Sequence, residues 1–148
     1  MIPMKMKQVI LLAAAFGFAV SLHAADKIVP GPKGGRLLET ASQKTEFFVN
    51  QERKVEINFY DAALKPIAVA GAVVTVTAEP KSGRAVLELE KASTGFVSKT
   101  KLPAGEPYRV VVQVREKADG KPQNFRVEFN LEKCGECHHA EYACICGH

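Results

Sequence analysis

From Arg36 to Glu132, apolar and polar residues exchange at every second position, run after run, and few folds accept that period. Val55, Ile57 and Phe59 alternate with Lys54, Glu56 and Asn58. Val110, Val112 and Val114 oppose Arg109, Gln113 and Arg115, and Phe125, Val127, Phe129 and Leu131 alternate with Arg126, Glu128 and Asn130. Successive side chains of an extended chain point to opposite sides, so each run has one apolar face and one wet face. Shorter runs of the same kind lie at Phe47–Val49, Ala72–Ala78, Leu87–Glu90 and Phe96–Ser98, with Pro80-Lys81-Ser82-Gly83 and Asp119-Gly120 as turns between runs. The last two long runs, joined at Asp119-Gly120, predict an antiparallel hairpin. No helical period competes. About seven strands, each with one face to bury, are accommodated by two packed sheets, so the sequence predicts an all-β, immunoglobulin-like antiparallel β-sandwich over residues 36–132. Trp is absent and the body has no cysteine, which excludes a disulfide-pinned immunoglobulin domain.

The N-terminus bears on compartment. Lys5 and Lys7 precede an apolar run from Val9 to Val20, and Ser21-Leu22-His23-Ala24-Ala25 follows. This is the layout of a secretory signal peptide over residues 1–24, with small residues at the cut, and it predicts a periplasmic or secreted protein. The run has twelve residues, against the roughly 20 that span a bilayer, so no stable membrane insertion is expected after cleavage. Removing 24 of the 148 residues leaves 124, enough for one domain with its own core. Both charges lost are lysines, so the net charge falls from +4 to +2. Lysines and glutamates alternate without a basic stripe, and nucleic acid is not an expected partner. Residues 25–35, rich in Pro and Gly, read as an extended lead-in; Gly31, Gly34 and Gly35 fit no phosphate-binding spacing and read as a flexible loop.

The body has neither histidine nor cysteine, so the usual nucleophile–base pairs cannot be built there, and its carboxylates are expected on solvated strand faces. No enzyme activity is expected. The chemistry is concentrated in residues 133–148, where Cys134-Gly-Glu-Cys-His-His-Ala-Glu-Tyr-Ala-Cys-Ile-Cys-Gly-His148 holds all four cysteines and three of the four histidines. Thiolate and imidazole are the ligands of soft and borderline transition metals. Cys134-x-x-Cys137 has the spacing of a zinc knuckle, and Cys144-x-Cys146 places two thiols on one side of an extended chain. The expected metal ligands are therefore Cys134, Cys137, Cys144 and Cys146, with His138, His139 and His148 as supplementary ligands, and the expected ion is zinc or copper(I).

Two other readings of the tail compete. Cys134-x-x-Cys137-His138 is the attachment pattern of c-type haem, which would make the chain a small monohaem electron carrier. Against haem stand a β body with no helices to wrap a porphyrin and the absence of methionine after Met6. Alternatively the cysteines are oxidised, as export favours, and the chain is a structural or interaction domain. The four cysteines lie within thirteen residues, so no bridge among them closes a long loop, and stabilisation grows with loop length. A thioredoxin-like role would need the Cys-x-x-Cys to open a helix, and none is expected.

Gly31-Pro32-Lys33-Gly34-Gly35-Arg36-Leu37-Leu38-Glu39 resembles a stretch near the start of periplasmic adaptor (membrane-fusion) subunits of heavy-metal efflux pumps, where Gly-Pro-His-Gly-Gly-Arg precedes a small β domain. Glu46–Val49, Val55–Tyr60 and Pro66 continue the pattern. Lys33 stands where that family usually has His, and the helical hairpin and lipoyl-like segments of a full adaptor are missing. The resemblance thus implies the accessory β domain standing alone. Tyr142-Ala143-Cys144-Ile145-Cys146 is similar to the Tyr-x-Cys-Pro-Met-His metal motif of some adaptors and pumps, with Ile145 for Pro and Cys146 for Met. Together these imply an exported metal-binding protein that sequesters, delivers or senses metal beside heavy-metal efflux components.

Overall fold

Alternating Val, Ile and Phe residues do fold as strands. The computed structural model describes residues 27–147; the signal-peptide reading over 1–24 and the ligand reading of His148 lie outside those residues. Nine strands follow in chain order: β1 (Arg36–Glu39), β2 (Lys44–Val49), β3 (Val55–Tyr60), β4 (Val73–Glu79), β5 (Ala85–Leu87), β6 (Leu89–Lys91), β7 (Gly95–Ser98), β8 (Tyr108–Arg115) and β9 (Gln123–Phe129). One sheet has the order β1-β2-β3-β7-β6 and the other β5-β4-β8-β9, with every neighbouring pair antiparallel. With β1 as an added edge, β2-β3-β7-β6 against β5-β4-β8-β9 is the Greek-key order of an immunoglobulin-type sandwich. No helix among the described residues is long and apolar enough to cross a membrane.

The expected hairpin is β8–β9, in register from Tyr108 opposite Phe129 to Val114 opposite Gln123. The core is the layer between the sheets. Phe47, Ile57 and Phe59 come from one sheet and Val76, Val110, Val112, Val127 and Phe129 from the other, all fully buried. Tyr108, near the start of β8, donates its hydroxyl to the Pro103 carbonyl at 2.6 Å, the corner contact that fixes how the chain enters this strand in immunoglobulin-type folds.

The described residues form nine strands where the sequence predicts about seven. Leu37 and Leu38 form the edge strand β1, whose four residues are too few to show a period. The run Leu87–Glu90, which alternates without a break, belongs to two strands in different sheets. Leu87 ends β5 beside β4, the chain crosses at Glu88, and Leu89 opens β6 beside β7.

The glycines before β1 are not a flexible loop. Residues 31–35 turn back over the outer face of the first sheet and enclose the Glu46 carboxylate, which is fully buried. The Lys33 and Gly35 amides donate to Glu46 Oε1 at 3.0 and 2.9 Å, and the Tyr60 hydroxyl donates to Oε2 at 2.7 Å. Glycine is required here by close approach. A Cβ on Gly31 would lie 2.3 Å from the Glu46 carboxyl carbon, and one on Gly35 would lie 2.3 Å from the Phe47 carbonyl oxygen. Glu46 is thus the exception to the expectation that carboxylates of the body face water.

Candidate metal centre

The tail begins where β9 ends. An antiparallel bridge between Lys133 and Ala140 closes a tight hairpin around Cys134–His139. The Cys134 amide donates to the His139 carbonyl at 2.8 Å, and the His138 amide donates to the Cys134 carbonyl at 3.1 Å. The turn carries His138 at φ 63°, a left-handed conformation that histidine adopts more often than most residues with a Cβ. After the hairpin, the Glu141 amide donates to the Glu132 carbonyl at 2.8 Å, and a single 3-10 turn, Glu141–Ala143, leads to Cys144.

That turn fixes the tail to the sandwich. Tyr142 enters the end of the core, 3% exposed, with its ring edge-on to Phe47 at 5.5 Å and tilted against Phe129 at 6.0 Å. Its hydroxyl accepts the Val49 amide at 3.0 Å. Ala143 beside it is fully buried. The hydrophobic core therefore includes part of the tail.

Between them the hairpin and the turn bring the four cysteines together. All four Sγ atoms lie within 4.8 Å of one another. Cys134 Sγ is 3.8 Å from Cys146 Sγ, and Cys137 Sγ is 3.7 Å from Cys144 Sγ. No disulfide joins them; a disulfide would need sulfurs about 2.05 Å apart. A tetrahedron of thiolates about 2.3 Å from a central zinc has edges of about 3.8 Å. The Cys134–Cys146 and Cys137–Cys144 distances match such edges, and the other separations lie within 4.8 Å.

The backbone serves the sulfurs as well. Amides of Cys137 and Glu136 donate to the Cys134 sulfur and hold this thiol below its ordinary value. The Ile145 amide does the same for Cys137; burial opposes it, the His139 amide adds to it, and the thiol falls to about 7. At Cys144 the Cys146 amide pulls the thiol down, but burial and the sulfurs of Cys134 and Cys137 outweigh it and leave the thiol raised. At Cys146 burial, then the neighbouring sulfurs, push the thiol up. Two thiols are shifted down and two up, as expected where four anions would share one pocket. A cation held by the four sulfurs would remove that repulsion and draw all four to thiolate.

Neither His138 nor His139 belongs to the four-sulfur group. The carbonyl of His139 closes the hairpin, and His138 occupies its left-handed position. Tyr142 is the functional residue that the sequence reading placed differently: grouped with a metal motif, it anchors the tail in the core. The signal that could have found it is its aromatic ring two residues before Cys144, in a segment with no strand period to bury it. No protein-family model matches the chain, and no curated protein and no solved structure matches it at a significant level.

Proposed function

We propose that this is an exported protein that binds one zinc or copper(I) ion through the thiolates of Cys134, Cys137, Cys144 and Cys146, for sequestration, delivery or sensing beside heavy-metal efflux components. The observation that carries the reading is the four-sulfur group with edges of 3.7 and 3.8 Å. Four soft donors at that spacing suit a d¹⁰ ion that prefers sulfur. A site closed by four protein ligands leaves no position for a substrate, so the role is binding rather than turnover. Support for export comes from the Lys5–Ala25 segment, and support for the efflux setting from the Gly31–Glu39 resemblance.

The test is to purify the mature protein from the periplasm and to measure metal content, thiols and visible absorption together. About one zinc or copper per chain is expected, lost in a Cys134→Ser/Cys137→Ser double variant. An absorption band of haem that survives acid extraction overturns the reading. A metal-free protein whose thiols are all oxidised overturns it too.

A further inference from the structure

We infer that metal enters and leaves this site by ligand exchange across its outer edge, Cys137 and Cys146, and that the exchange partner is a protein presenting thiolates. The inference rests on the four-thiolate reading above and gives that site a direction. The four sulfurs are not equivalent. Cys134 is 2% exposed and Cys144 6%, whereas Cys137 and Cys146 are only half-buried. The inner pair is also the anchored pair. The Cys134 amide is bonded to the His139 carbonyl, and the Cys144 amide to the Glu141 carbonyl at 3.2 Å, directly beyond the Tyr142 anchor. The outer pair sits among chain that the core does not hold: Glu136, His138, Ile145 and Gly147 are all exposed.

Two of the close contacts join an inner to an outer sulfur, Cys134 to Cys146 and Cys144 to Cys137, and the inner pair spans both halves of the tail, Cys134 at the hairpin and Cys144 just past the 3-10 turn. An outer thiolate can therefore leave while an inner one from each half of the tail still holds the ion. A closed tetrahedral ion offers no vacant position, so exchange at the exposed edge needs an attacking ligand. The ligand that replaces a thiolate on a soft or borderline ion without loss is another thiolate. In each step one cysteine–metal bond breaks as one partner sulfur–metal bond forms. The metal keeps its oxidation state, and the proton of the incoming thiol passes to the cysteine that departs.

The experiment uses the mature full-length protein loaded with one zinc. It is mixed with a synthetic peptide carrying Cys-x-x-Cys, and iodoacetamide is added in pulses during transfer, with the labelled sites read by mass spectrometry. The transfer rate is expected to rise linearly with peptide concentration. Cys137 and Cys146 are expected to label first, roughly tenfold ahead of Cys134 and Cys144, because they are the sulfurs that solvent reaches and the first to be released from the ion. A rate independent of peptide concentration with all four cysteines labelled together, or an inner pair that labels first, overturns the route while leaving the metal site standing. Failure of the protein to take up zinc overturns the site and the route alike.

Discussion

A single carboxylate, Glu46, holds the Gly31–Gly35 segment onto the first sheet, and its contacts set what substitution there does. Replacing it by Ala strands the Lys33 and Gly35 amides and the Tyr60 hydroxyl in a buried place. A loss of about 3 kcal/mol is expected in urea unfolding, in the range for buried donors left without an acceptor. Gly35→Ala is expected to cost at least about 2 kcal/mol by the same assay, since its Cβ would meet strand backbone that cannot yield. None of this was legible beforehand. The glycines and Glu46 are separated along the chain, and a period of two cannot report which residue is covered from outside. Cysteine spacing, in contrast, was legible, because the ligands of a compact site lie close in sequence. The three tyrosines are a further check at this scale. Burial raises Tyr60, Tyr108 and Tyr142 above the ordinary tyrosine value; Glu46 adds to it at Tyr60 and Glu106 at Tyr108, which is pushed up to about 12. A folded value above the unfolded one means stability that is whole below about pH 10 and is lost as pH rises through the folded values. The chain has no Trp, so tyrosinate absorbance at 295 nm reads this directly. Little signal is expected near pH 10 in the folded protein, and about half the full signal there in urea.

Among the elements, the 3-10 turn Glu141–Ala143 matters out of proportion to its length, because it joins the four-cysteine group to the core. Tyr142→Phe removes only the acceptor for the Val49 amide and should cost about 1 kcal/mol. Tyr142→Ala empties the place beside Phe47 and Phe129 and should cost about 3 to 5 kcal/mol. It should also weaken zinc binding although no ligand is touched, which competition with a chromophoric chelator would measure. Unchanged zinc affinity in the Ala variant would show that the turn does not position Cys144. The strands give the complementary lesson. The long runs in β3, β8 and β9 were legible because one face of each is dry. Leu87 and Leu89 misled because alternation continues unbroken while the chain changes sheets, and the change is decided by pairing with β4 and β7, which local pattern does not encode. Expectation and structure agree best where a strand is long and one of its faces lies in the core.

At the scale of the whole molecule, the four-cysteine tail and the sandwich share a core through Tyr142 and Ala143, so they should unfold together. Zinc at a hundredfold excess over its dissociation constant should add about 2.7 kcal/mol to unfolding in urea, in one transition followed alike by tyrosine fluorescence and far-ultraviolet circular dichroism. Two separate transitions would show that the tail folds apart from the body. The sheet orders carry a different consequence, for self-association. Both sheets end in edge strands, and three of the four are very short: β1 has four residues, β5 three and β6 three. Strands of that length offer a neighbouring chain almost no ladder to extend, which is how many β proteins avoid joining edge to edge. The fourth, β9, has seven residues and sets Arg126 and Glu128 along its exposed side. If copies of this chain ever polymerise, the growing seam starts at β9, and the charges there are what hold it open to water.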